Sequence, residues 1–210
     1  MEEMQVGQRA AEPAVFDSVE DMLAPPSLSR LLGTPINIVS LAALESNGFS
    51  TNELFYVRAG EQRYVLKRLN TQDWMARASR DEKCRSMAVW RTGLLDRLEP
   101  ELRHGIIAGS SDGASHALLM QDCSAGLVSW SGPTASRRLD CALEMLAYMH
   151  ARFWNDHTLT EAAYELADVE VLVSLCWPRS WSSIEHHPET VALLQRGWQA
   201  LLDLVDPDVR

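Results

Sequence analysis

No stretch of this 210-residue chain is apolar for long enough to cross a bilayer, and Met1-Glu2-Glu3-Met4-Gln5 lacks the basic start of a secretory signal. Cysteine is sparse. Cys84, Cys123, Cys141 and Cys176 lie 39, 18 and 35 residues apart, with no close pair to suggest a zinc cluster or a disulfide framework. A reducing cytoplasm is the default compartment. Positive charge is in deficit: 19 Lys and Arg stand against 29 Asp and Glu, a net of −10 that argues against nucleic acid or an anionic membrane as partner.

The deficit is uneven. Residues 1–34 hold two basic and six acidic side chains and residues 155–210 hold three and ten, which leaves 35–154 close to neutral. A nucleotide polyanion would tolerate that middle, and the acidic end would suit a cationic substrate, although a solvated acidic surface is the commoner meaning of such a run. The balance of 46% hydrophobic and 23% charged residues is that of a globular chain with one domain or two small lobes.

Along the chain, residues 1–17 read as a loose leader without periodicity. Ser18 caps a short helix that Pro25-Pro26 ends, and Ser27 to Gly33 is another brief helical turn closed by glycine. Ile36 to Leu44 is a first strand. A polar turn follows, Ser46-Asn47-Gly48-Phe49-Ser50-Thr51-Asn52, then a second strand in which Leu54, Tyr56 and Arg58 alternate with Phe55 and Val57. Arg58 to Gln62 supplies a hairpin turn, and the third strand, Tyr64-Val65-Leu66-Lys67, carries one lysine inside an apolar run. A fixed cation facing a glycine-containing turn is one way to hold a phosphate chain.

A helix is predicted over roughly Asp81 to Leu98, with Met87, Trp90, Leu94 and Leu98 as its buried stripe. Two strands, His104 to Ala108 and His116 to Met120, are joined by Gly109-Ser110-Ser111-Asp112-Gly113. That joint spells the Gly-x-Ser-x-Gly of a serine hydrolase elbow, but an elbow needs a helix after it, and here a strand follows, so Ser111 is not read as a nucleophile. Leu118-Leu119-Met120-Gln121-Asp122-Cys123-Ser124 is a buried strand that turns abruptly polar. Thr134 to Trp154 is a long helix whose Leu139, Leu143, Leu146, His150 and Phe153 predict a buried face, His150 being read as a hydrogen-bonded core residue. The remainder is mostly helical. Pro188 opens a last helix with Val191, Leu194, Trp198, Leu201 and Val205 on one face.

Three of these stretches, in this order, resemble the aminoglycoside phosphotransferase and small-molecule kinase branch of the protein-kinase-like fold. They are the single-glycine turn with its strand lysine, the Leu-Met-Gln-Asp-Cys-Ser hinge, and Leu146-Ala147-Tyr148-Met149-His150-Ala151-Arg152-Phe153-Trp154. The resemblance implies an α+β chain: residues 1–34 as leader and short helices, 35–122 as a nucleotide-binding lobe of antiparallel sheet plus helix, and 123–210 as a partial helical lobe. It implies ATP as cofactor. Gly48, Ser50 and Thr51 would cover its phosphates, Lys67 would contact the α- and β-phosphates, and Glu82 would pair with Lys67. Met120 would line the adenine pocket, with the Gln121 carbonyl and the Cys123 amide pairing the base.

The His-x-Asp-x-x-x-x-Asn loop of this fold is absent after any of the six histidines, and Asn155-Asp156-His157 has the residues in the wrong order. No catalytic residue and no magnesium ligand is therefore assigned. The chain is expected to stop short of the reactive half, to be inactive alone, and to self-associate through apolar surface left uncovered. Its phosphate acceptor is an unknown small-molecule hydroxyl. The alternative is a non-catalytic nucleotide-binding or regulatory module of the same fold.

Overall fold

The computed structural model describes residues 12–45, 52–98, 102–112, 115–126, 135–161, 166, 171, 192, 195–200 and 203. Contacts divide the chain into two compact units, Met1–Arg77 with Asp81–Leu166, and Ala78–Arg80 with Ala167–Arg210. In the second unit Val171 is buried, residues 195–200 are helical and Trp198 is half-buried. The predicted stripe positions Val191, Leu194, Leu201 and Val205 lie outside the described residues.

The first unit is α+β, built on a six-stranded mixed sheet in the order β1-β5-β6-β4-β3-β2. Its strands are β1 (Val15–Phe16), β2 (Val39–Leu44), β3 (Glu53–Ala59), β4 (Gln62–Leu69), β5 (Ile106–Ser111) and β6 (His116–Gln121). All neighbours are antiparallel except β1, which runs parallel to β5 and pairs Val15 with Gly109. The end of the expected leader is thus a strand. Two apolar residues, Val15 and Phe16, suffice because β5 offers them an open edge.

Side chains alternate across the sheet, as the pleat requires. Val57 and Ala59 of β3, Tyr64 and Leu66 of β4, Ala108 of β5, and Ala117 and Leu119 of β6 form one buried face. It is covered by Met22 and Leu23 of α1 (Val19–Leu23) and Leu28 of α2 (Pro25–Leu32). Ser18 caps α1 by accepting from the Asp21 amide, as its sequence predicts. Pro25 and Pro26 do not merely end α1. They open α2, where a missing N–H costs nothing, and Gly33 closes it.

The other face carries α4 (Arg85–Arg91), and α3 (Trp74–Ala78), which precedes it in the chain, was not predicted from the sequence. Asp73 Oδ1 accepts from the Ala76 amide at 2.6 Å and starts α3. Met87 and Trp90 of α4 pack with Cys84 and Leu118. The predicted stripe is buried through Leu94 and Leu98, but the continuous helix is not formed. Cys84 takes a left-handed backbone (φ 58°) just before α4, and Gly93 (φ 69°) breaks the chain after it. Leu95–Leu98 then forms a separate 3-10 turn.

Helix α5 (Ala135–Phe153) matches its predicted span, whereas its predicted burial fails. Leu139, Leu143 and Leu146 are exposed, Leu143 by 53%, and His150 is an exposed residue rather than a core one. Phe153 is half-buried. Periodicity reported an apolar face correctly, but the described elements of this unit do not cover it. A short α6 (Thr158–Glu161) follows.

Candidate functional site

The alternation that sends Leu66 and Leu119 into the core turns their neighbours toward the opposite face. There Leu54, Tyr56, Val65, Lys67 and Met120 line a cleft of about 600 Å³ that ends on the segment from Gln121 to Ser124. Lys67 pairs in register with Leu54 and Leu118, so its stem is held by strands on both sides. It is half-buried, and among the described residues no carboxylate reaches it as an ion-pair partner. An ammonium in that position carries a charge that no side chain among the described residues neutralises.

At the cleft's far end β6 stops at Gln121. The Gln121 amide donates to the Gly105 carbonyl at 2.7 Å, and the Cys123 carbonyl accepts from Gly126 at 2.8 Å. The Cys123 amide has no acceptor among the described residues. It is bracketed by a turn in which Asp122 Oδ1 accepts from the Ser124 amide at 2.9 Å and from the Ser124 hydroxyl. The Ser124 hydroxyl and then its amide lower the Asp122 pKa, burial pushes against them, and the Arg63 guanidinium adds a smaller lowering. Arg63 also forms an ion pair with Asp122.

Lys67, Met120, Gln121 and Cys123 line one cavity. Gly48, Ser50 and Thr51 lie outside the described residues, although Glu45 and Asn52, which flank that turn, both border the cleft. Glu82 departs from expectation. It sits exposed in the turn before α4 and makes no ion pair with Lys67. The helix starts only at Arg85, so Glu82 never joins it. The capping carboxylate is Asp81, whose Oδ1 accepts from the Arg85 amide at 2.6 Å. Behind the cleft, burial pushes the Cys84 thiol up, opposed by its hydrogen bond with the Met87 backbone. Asp81 adds to the rise, and Lys67 opposes it.

Tyr56, Val65, Gly105 and Asp122 also border the cleft without having been singled out as site residues. For Tyr56 and Val65 a signal existed, since both share parity with a residue on the Lys67 face of a paired strand. Gly105 gave none: it was read inside a strand that in fact starts at Ile106, and a glycine has no side chain whose parity could mark a face.

A second concavity, about 660 Å³ and almost wholly apolar, lies between Leu94 and Leu98 on one side and Met149, Phe153 and Trp154 on the other. Arg97 bridges its rim. Its guanidinium stands 5.2 Å from the Phe153 ring centroid and pairs with Asp156, which also accepts from the Thr158 amide at 3.0 Å and opens α6. The Thr158 hydroxyl first, and Arg97 after it, lower the Asp156 pKa, against an opposing push from burial.

Among the described residues no group of three or more His, Cys, Asp or Glu is placed to hold a metal ion, and no helix is long and apolar enough to cross a membrane. No protein-family model matches the chain, and neither the curated proteins nor the solved structures contain a significant match. The case for a function therefore rests on the cleft.

Proposed function

We propose that the cleft binds ATP, in a lobe of the kinase-like kind built by small-molecule phosphotransferases. The observation that carries this reading is the pairing of two groups in one cavity: an ammonium that meets no carboxylate, and a backbone amide that meets no acceptor, among the described residues. Lys67 would meet the α- and β-phosphates. The Cys123 amide would donate to adenine N1, the Gln121 carbonyl would accept from the exocyclic amine, and Val65 and Met120 would enclose the ring. A cleft of about 600 Å³ is in the range of small-ligand sites.

Phosphoryl transfer to a small-molecule hydroxyl is the wider proposal, and this sequence supplies neither its catalytic loop nor assigned magnesium ligands. The alternative reading is a non-catalytic nucleotide-binding or regulatory module of the same fold. Both readings share the binding step, which is testable directly. ATP at about a hundred times its dissociation constant should stabilise the chain by about 2.7 kcal/mol. That amounts to a rise in Tm of roughly 5–10 °C for a chain of this size. The shift should vanish in Lys67→Ala. Absence of any shift in the wild-type chain at millimolar ATP would remove the reading.

A further inference from the structure

Arg63 does not line the cleft, yet it touches two residues that do. It projects from β4, the strand between β3 and β6, on the same face as Val65 and Lys67. On one side its guanidinium carbon stands 4.4 Å from the centroid of the Tyr56 ring, which belongs to β3. On the other side it pairs with Asp122, just beyond β6. Asp122 in turn holds Ser124, so the same carboxylate fixes the turn that presents the Cys123 amide. One guanidinium thus joins an aromatic wall of the cavity to its exposed backbone donor.

Building on the nucleotide reading above, we infer that Arg63 is a positioning residue. Held by Asp122, it sets the Tyr56 ring and the Cys123 amide in the geometry that receives a planar purine base. Arg63 is about half exposed, while the Asp122 side chain is largely covered, so the anchor is the carboxylate and the guanidinium is the movable part. Its contribution is preorganisation. A free tyrosine ring and a free two-residue turn would each lose conformational freedom when a base arrives, and the latch removes that loss beforehand. A cation over an aromatic face and a charge-assisted hydrogen bond to a carboxylate are both strong enough for the task. The phosphate end is untouched by it, because Lys67 is fixed by its own strand pairing.

That separation of ends supplies the test. Dissociation constants would be measured by calorimetry for ATP and for inorganic tripolyphosphate, on the wild-type chain and on Arg63→Met, Asp122→Asn and the double variant. The expected result is a roughly tenfold weaker ATP affinity in each single variant, no further loss in the double variant, and unchanged tripolyphosphate affinity throughout. Arg63→Lys should recover only part of the loss, because an ammonium cannot face the ring and the carboxylate with one plane. Equal weakening of both ligands would mean a general loss of structure and would overturn the inference, as would ATP affinity unchanged in Arg63→Met. Should Arg63→Met fail to fold, Tyr56→Leu and Asp122→Asn carry the same comparison. A wild-type chain that binds tripolyphosphate but not ATP overturns this inference together with the nucleotide reading, whereas ATP binding that ignores Arg63 overturns this inference alone.

Discussion

Gly109 is the position where one added methyl should be felt most. It lies on β5 directly beneath α4, and a Cβ built there would stand 2.8 Å from Met87 Cε, 2.8 Å from Trp90 Cζ3 and 2.9 Å from Met87 Sδ. Carbons in contact prefer about 3.5–4.0 Å, so Gly109→Ala forces a displacement approaching an ångström. The Met87 end can swing away at small cost, since thioether side chains adapt. The Trp90 ring cannot do so as readily, because it is buried among Cys84, Met87 and Leu118. Helix α4 must then lift from the sheet or the ring must leave its rotamer. Overpacking of this kind costs about 1–3 kcal/mol. At roughly 2–4 °C per kcal/mol for a chain of this length, Tm should fall by about 2–12 °C. Scanning calorimetry and urea titration measure it, and Met87→Ala provides the internal check. With two of the three close atoms gone, the penalty of Gly109→Ala should shrink, a coupling of about 0.5–3 kcal/mol. A Gly109→Ala chain as stable as the wild type, or a strictly additive double variant, would refute the close approach of α4 to β5.

Two further outcomes are expected. Asp156 has a folded pKa below its unfolded value, so its contribution is present above the ordinary carboxylate pKa of about 3.9 and disappears as pH falls through the lower folded value. Asp156→Asn should therefore lower Tm at pH 7, and the gap should close toward pH 2–3; a gap independent of pH would contradict the ion pair with Arg97. We also propose that the apolar face of α5 self-associates, because Leu139, Leu143 and Leu146 are exposed along one side of the helix. Sedimentation velocity should show mass rising with concentration, suppressed in Leu143→Glu, and a monomer at all concentrations would count against it.

The sheet was legible because its signal is local and doubled. Each strand from Leu54 to Leu66 states its two faces by alternation, and the partner strand states them again, so the α+β class and the position of Lys67 emerge from sequence alone. The helices were legible in span and not in surroundings. The α5 stripe says that one face avoids water, while nothing in its period-3.6 spacing names a partner, and in the described structure the stripe stands exposed. The stretch before Leu98 failed for a different reason. Its apolar spacing survives a break, since Met87, Trp90, Leu94 and Leu98 all reach the core although Gly93 interrupts the helix between them. Burial was predictable there, and hydrogen-bonded continuity was not. Glu82 was lost with it, because a residue's place on a helix depends on where the helix begins.

The strongest constraint on the site is the parity of a single strand. Leu66 has no exposed surface, packed against the α1 and α2 side, so Lys67 must turn to the other face whatever its chemistry prefers. Ordinarily a lysine placed beside Val65, Leu54 and Met120 would bring a carboxylate with it, because a half-buried ammonium loses hydration without return. Here Asp81 is spent on the start of α4 and Asp122 on Ser124 and Arg63, while Glu45 borders the cleft without an ion pair to Lys67. The counter-charge must then come from solvent or from a ligand. On the nucleotide reading proposed above, a cavity that leaves its cation open would favour an anion before any shape is considered. On the same proposal, the end where the Cys123 amide stands near the Tyr56 ring would decide which anion.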